Sequence, residues 1–200
     1  VATDGYHHGA LHEAIMAAAI GEAGRHGPQA IGVRALAKAV GVSPSAVYRH
    51  VPSIDALIAE VSQAARERLA VMMVEQRERV PSHRTRAVRA AARFRAVGRA
   101  YIDFALTEPQ LFDTAFVPTS ATPRRPDEPS AWQVLVDGVQ ELVDAGVLRA
   151  DAATDAALIA WSGVHGIASI QRRALMVEAV ADDHAIEVVL DSIRRSLQTM

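Results

Sequence analysis

The sequence predicts an all-α chain, and two observations carry that prediction. Apolar residues recur at helical spacing almost throughout the 200 residues, and strict alternation over five or more residues bounded by turn signals is hard to find. Glycine and proline then punctuate the pattern into helix-length pieces.

Leu11, Ile15, Ala18 and Ala19 form a first amphipathic stripe, which runs out at Gly24 and the Gly27-Pro28 pair. Leu36, Ala37 and Val40 mark a short second helix that stops at Gly41, a residue tolerant of the left-handed conformation many helix ends need. Ser43 supplies an N-cap oxygen and Pro44 sits where a missing N–H costs nothing, so a third helix starts there. It ends near Val51, because the residue before Pro52 is pushed out of the helical region. Ser53 caps a fourth helix with the stripe Leu57, Ile58, Val61, Ala64, Ala65 and Leu69, broken by Pro81. A fifth carries Phe94, Val97, Tyr101, Phe104 and Ala105 on one side, and Pro109 closes it or starts the next. Four prolines and mixed charges make 117–130 read as a mobile loop. Helices resume with Trp132, Leu135, Val136, Val139 and Val143, ending at Gly146, and two more span about 152–174 and 184–198.

Half of the residues are hydrophobic and mean hydropathy is +0.10, which excludes disorder and leaves ample apolar surface for a core. The longest apolar runs fall short of a membrane span, and no export signal opens the sequence. With no cysteine, a cytoplasmic location is expected. The net charge of −2 conceals blocks. Residues 1–65 hold four basic and five acidic groups, 66–99 ten and three, and 100–200 seven and fifteen. Such blocks can steer a polyanion, although a solvated arginine face is the commoner reason for them.

The most informative spacing is the short pair of helices, 33–40 and 44–50, joined by Gly41-Val42-Ser43. Two helices joined by a tight glycine-containing turn form a helix-turn-helix, whose second helix can enter the major groove of DNA. Ala37, Val42 and Val47 can wedge the pair apart at a steep angle while Pro44, Ser45, Tyr48 and Arg49 face out. A plain helical hairpin has the same periodicity.

Several runs here resemble the DNA-binding region of TetR-family transcriptional regulators. They are Tyr6 to Leu11, Gly27 to Ile31, Val33 to Ala37 and Gly41 to His50, continuing through Ser53 to Val61. Further along, Trp161-Ser162-Gly163-Val164-His165-Gly166 looks like a Trp-x-x-x-His-Gly segment in the ligand-binding domain of one TetR subgroup. The resemblance implies an all-helical homodimer. Residues 8–53 would form a three-helix DNA-reading head, and 54–200 a bundle that binds an effector and dimerises through its last two helices. It also implies that Tyr48 and His50 contact phosphates, that Ser45 and Arg49 point toward base edges, that Arg34 and Lys38 contact the DNA backbone or a base, and that Ser43 and Pro44, which open the recognition helix, belong to the DNA-binding set. The chemistry fits, since Arg can bond guanine bidentately while hydroxyl and ammonium groups hold phosphate oxygens. A Tyr or His at a helix end also serves as half-buried packing, and a lone Arg as a solvated charge.

Three positions depart from the family pattern, one of them Val51, where an aromatic is common. Gly32 stands where a Ser or Thr usually opens the second helix, and Ile54 where a Lys is usual. Glycine at an N-cap costs only a few tenths of a kcal/mol, so the fold survives. The lost hydroxyl and ammonium predict weaker and more salt-sensitive DNA binding, or a regulator that acts only through protein or ligand contacts. The arginine block from Arg66 to Arg99 is an auxiliary DNA contact, an anion-binding wall, or the solvated side of two long helices.

An apolar cavity between helices is where a bundle binds small molecules. Candidate liners are Phe94, Tyr101, Phe104, Phe112, Phe116, Trp132, Trp161 and His165; most are equally at home in an ordinary core, and His165 is the stronger candidate because a histidine on an apolar face needs a partner, in a core or on a ligand. Few charged residues share those faces, which favours an apolar or aromatic effector. His7, His8 and His12 include an i, i+4 pair with metal-ligand spacing, but no cysteine or acidic cluster completes a site, so neither metal nor cofactor is expected. No phosphate loop, nucleophile elbow or zinc-protease helix is present, which argues against an enzyme. The last two helices are apolar on more than one face. Gly163, Gly166, Ala168 and Ser169 would let a partner helix approach, and a two-fold dimer would read a DNA palindrome with half-sites about 34 to 36 Å apart. Family habit favours repression relieved by ligand.

Overall fold

A computed structural model describes residues 4–82, 85–118, 130–172 and 183–199, with side chains from Ala10 onward. Nine α-helices lie in the described residues: α1 (Asp4–His26), α2 (Val33–Val40), α3 (Pro44–His50), α4 (Ile54–Glu78), α5 (Arg86–Thr107), α6 (Pro109–Ala115), α7 (Ala131–Asp144), α8 (Ala153–Arg172) and α9 (Asp183–Gln198). Two single-turn 3₁₀ helices, Pro28–Ala30 and Ala150–Ala152, were not expected from the periodicity, being too short to carry one. The expected loop at 117–130 lies mostly outside the described residues, as do 173 and 174 of the penultimate helix.

The chain divides into two compact units, Val1–Arg66 with Glu108–Glu128, and Glu67–Thr107 with Pro129–Met200. The expected boundary at 53/54 coincides with the start of α4, whereas the division falls inside that helix and returns α6 to the first unit.

In the first unit, α1 packs on α2, α3 and α6, with Ile15, Ala19, Leu36, Val47 and Leu57 wholly buried. Each such side chain contributes about 1.5–3 kcal/mol of hydrophobic stabilisation, and alanine less. Local chemistry sets the turns. Gly27 and Gly41 have φ of +84° and +73°, in the left-handed region that favours glycine, and the Val42 N–H donates to the Ala37 carbonyl at 2.9 Å. Ser43 caps α3 by accepting from the Ala46 N–H at 3.2 Å, and Val51, extended ahead of Pro52, ends it. Ser53 caps the start of α4, accepting from the Ala56 N–H at 3.0 Å.

The second unit is built on α5, which packs on α7, α8 and α9 and buries Val97, Tyr101, Ile102 and Phe104. Glycines set its close approaches. A Cβ on Gly98 would lie 3.0 Å from Leu190, and one on Gly163 only 2.9 Å from Ile193. Gly163 therefore serves the contact of α8 with α9 within one chain, and Ala168 on the same helix is completely buried. Ala168 is therefore not left for the partner helix that the sequence suggested, while Gly163 is half-buried. Gly166, with open space beyond its Cα, and the half-buried Ser169 remain on the surface.

Candidate functional site

The first unit presents α3 with one face inward and the other bare. Ala46 and Val47 are buried, while Ser43, Pro44, Ser45, Tyr48 and Arg49 are exposed, Tyr48 by 58%. Alternation of this kind follows from the helical period, because 46 and 47 fall on the side that meets α2 and 44, 45, 48 and 49 fall opposite. Tyr48 is therefore not core packing. His50 is half-buried and engaged in a contact of its own. On α2, Val33, Leu36 and Ala37 face inward, leaving Arg34 and Lys38 exposed one turn apart. Arg34, Lys38 and Arg49 make no ion pair among the described residues. The Ser43 and Ser45 hydroxyls are 2.9 Å apart. Three free cations and several hydroxyls on adjoining turns are what a phosphate backbone and base edges require.

Gly32 is the N-cap of α2, with φ −140° and no side-chain hydrogen bond. That backbone is open to any residue, and a Cβ there would meet nothing within 4 Å. The absent hydroxyl is thus a matter of side-chain chemistry rather than of backbone constraint. Ile54, the first residue of α4, is half-buried.

The arginine block behaves differently. Arg93 pairs with Glu78 and Glu141 at 3.3 and 3.2 Å, Arg95 with Glu187 and Asp191, and Arg99 with Asp103 and Asp183 at 2.8 and 3.0 Å. The Asp103 carboxylate, foremost, keeps the Arg99 guanidinium above its ordinary pKa. Arg77 and Arg79 pair with Glu78 and Glu75. Arg86 is exposed, and Arg84 lies outside the described residues. Three of the ten arginines of the block, Arg93, Arg95 and Arg99, are thus matched by the acidic C-terminal stretch, a pairing the sequence did not disclose because the partners lie up to 96 residues apart.

Arg66 belongs to the first unit. It donates to the Ala115 carbonyl at 2.8 Å and to the Ser62 hydroxyl at 2.6 Å, and Ser62, fully buried, donates to the same carbonyl at 3.1 Å. Ala115 is the last residue of α6, so a cation caps the negative end of that helix and ties it to α4. Nothing in the sequence marked Arg66 out from the rest of the block.

In the second unit, a cavity of about 340 Å³ is bounded mainly by apolar side chains of α5, α7, α8 and α9, among them Phe94, Leu135, Val164 and Ile193. Of the expected liners, Phe94, Tyr101 and Trp161 bound it. Trp132 packs edge-on against Trp161 with ring centres 5.5 Å apart. His165 lies behind, its Nδ1 2.7 Å from the Tyr101 hydroxyl. Burial, and secondarily Arg172, hold the His165 imidazole below its ordinary pKa, and burial pushes the Tyr101 phenol far up. Phe104 is core, 1% exposed. Phe112 and Phe116 pack on each other in the first unit, with ring centres 4.9 Å apart, and do not bound the cavity. His12 lies 3.2 Å from Glu60, and no metal-binding cluster occurs among the described residues. No helix among them is long and apolar enough to cross a membrane.

An exposed helix-turn-helix with uncompensated cations in one unit, and a helical bundle around an apolar cavity in the other, define the class of helix-turn-helix transcriptional regulators. Comparison with known proteins makes this specific. Residues 15–61 match the family of bacterial regulatory proteins named for tetR, and 94–193 match the tetracyclin repressor-like C-terminal domain. The chain belongs to the TetR family, whose members are DNA-binding regulators of transcription rather than enzymes.

Solved structures share the fold. A protein of unknown function from Rhodococcus sp. RHA1 is similar at 27% identity and a TM-score of 0.74, covering 98% of this chain and 99% of that one. A TetR family transcription regulator from Marinobacter aquaeolei VT8 is similar at 14% identity and a TM-score of 0.56, covering 94% and 95%. The regulator PfmR from Thermus thermophilus is similar at 19% and 0.55, covering 90% and 97%. No curated protein matches the sequence.

Proposed function

We propose that this protein is a repressor that binds a palindromic operator as a homodimer and is released by a small apolar or aromatic effector. The observation that carries this reading is the contrast in cation pairing. Arg34, Lys38 and Arg49 stand exposed and unpaired around the helix-turn-helix, together with Ser45 and Tyr48, whereas three of the five arginines of α5, Arg93, Arg95 and Arg99, are spent on carboxylates. Leaving three cations unpaired on two adjoining helices gains no ion-pair stabilisation and suits a polyanionic partner. Arg49 and Ser45 read bases, Tyr48 and His50 with Arg34 and Lys38 hold phosphates, and Ser43 and Pro44 fix the start of the reading helix.

The effector reading rests on the cavity, whose volume lies near the lower end of the range of about 300–1,000 Å³ typical of ligand pockets. Tyr101 and Trp161 would face the ligand, with Trp132 and His165 supporting them. Dimerisation is supported by the apolar residues α8 and α9 leave in solvent. Leu158, Ser162, Gly166 and Ile170 fall at four-residue steps along α8, with Leu158 53% and Ile170 37% exposed, and Val188 on α9 is 47% exposed. Apolar surface of that kind is what a two-fold helical contact covers.

Selection of random duplex DNA by the purified protein, at low and at physiological salt, tests the reading. An enriched palindrome is expected, and it provides the operator for an effector screen. Both tryptophans of the chain, Trp132 and Trp161, adjoin the cavity, so occupancy is read as a change in intrinsic fluorescence and release as loss of the operator complex. A folded protein that enriches no sequence at either salt overturns the reading.

A further inference from the structure

Twenty of the 21 basic side chains are arginine, and the one lysine is Lys38. Arginine stays protonated at any physiological pH and is a poor nucleophile, whereas a lysine amine takes an acyl group and loses its charge. Amine-directed acylation therefore has a single side-chain target in this sequence. That target is exposed in the last turn of α2, with no carboxylate partner among the described residues to shield it. It shares a face with Arg34, adjoins the turn that leads into α3, and belongs to a stretch, residues 1–65, with only four basic groups against five acidic ones. One of those four, Arg25, is already paired with Glu22. Removing one charge elsewhere would matter little; removing it here takes away one of three free cations on the DNA-facing side.

We propose that Lys38 is an acylation site at which an activated acyl donor, a thioester or an acyl phosphate, turns down DNA binding. The Lys38 Nζ attacks the acyl carbonyl carbon and an amide N–C bond forms. The attacking amine is the deprotonated form, the ammonium having first given one proton to solvent; the C–S or C–O bond to the thiolate or phosphate breaks, the leaving group departs with its electron pair, and the second proton displaced from nitrogen also goes to solvent. The product is neutral and bulkier, able to donate one hydrogen bond where the ammonium offered three. The proposal rests on the reading of Lys38 as a phosphate contact.

The folded protein is incubated in separate arms with acetyl phosphate and with an acetyl thioester. Peptide mass mapping locates the adduct, and affinity for the selected duplex is measured over a range of salt. Acetylation of Lys38 in at least one arm is expected, with affinity falling several-fold and the slope of log K against log salt becoming shallower by about one per subunit. Lys38→Arg, compared with itself before and after exposure to donor, keeps its affinity unchanged, which separates Lys38 from acylation of a terminal amine. Thermal unfolding of each sample confirms that the fold persists. Lys38 left unmodified in both arms while it is acetylated after unfolding overturns the proposal, and so does complete acetylation without loss of affinity. A wild-type protein that binds no duplex removes the phosphate-contact reading and the proposal with it, whereas binding that acetylation does not alter removes the proposal alone.

Discussion

The two units handle positive charge in opposite ways. Around α2 and α3 the cations are few and unpaired; along α5 three of five, Arg93, Arg95 and Arg99, are tied to carboxylates on α4, α5, α7 and α9. Positive charge counted along the sequence is densest in residues 66–99, whereas the unpaired cations described above stand at residues 34–49. Compensation, not number, decides which surface is available to DNA, because a carboxylate a few ångströms away repels the phosphate its arginine would attract.

The sharpest way to break this comparison is to remove a cation from each side. Arg49→Ala should cost about 1–3 kcal/mol of operator binding and relax preference at the base it reads, with the thermal midpoint unchanged. Arg66→Ala, by contrast, should destabilise the first unit by about 1–3 kcal/mol in chemical denaturation, since it uncaps α6 and leaves the buried Ser62 hydroxyl and Ala115 carbonyl short of a partner. Arg95→Ala should lower stability by no more than about 1 kcal/mol, its ion pairs being partly exposed, and leave DNA affinity where it was. Loss of operator affinity in the Arg95 variant would erase the contrast.

Two smaller effects sharpen it. The lowered pKa of His165 means that the unfolded chain holds this proton more tightly than the folded one. Stability from this group is therefore present above the ordinary pKa of 6.5 and lost as pH falls below it. Thermal unfolding between pH 7.5 and pH 5 should show a falling midpoint, less steep in His165→Gln. The smallest effect is expected of Gly32→Ser, which fits without a clash and adds a capping oxygen worth a few tenths of a kcal/mol, along with one hydroxyl for phosphate. Counterion release also corrects the sequence expectation on salt. Fewer phosphate contacts release fewer ions, so the missing groups at Gly32 and Ile54 make binding weaker and less steep in salt, not steeper.

What was legible in the sequence was local. Gly41, Ser43-Pro44 and Val51-Pro52 each act through their own backbone or the next turn, and the structure follows them to the residue. What was not legible depends on distant partners. Gly163 packs against a residue 30 positions on, the Arg66 clamp closes on a carbonyl 49 residues away, and α6 joins α1 rather than the bundle it precedes. Phe112 and Phe116 read as cavity residues because aromatic side chains on successive helices look alike in sequence; only the chain's return to the first unit separates them from Tyr101 and Trp161.

The measurement that bears most directly on the contrast is the salt dependence of operator binding for three proteins: wild type, Arg34→Gln with Lys38→Gln, and Arg93→Gln with Arg95→Gln. A slope of log K against log salt that falls by about two per subunit in the α2 variant and stays at the wild-type value in the α5 variant is the predicted result. A slope that falls in the α5 variant and holds in the α2 variant would contradict it, and would place the DNA on the arginine block instead.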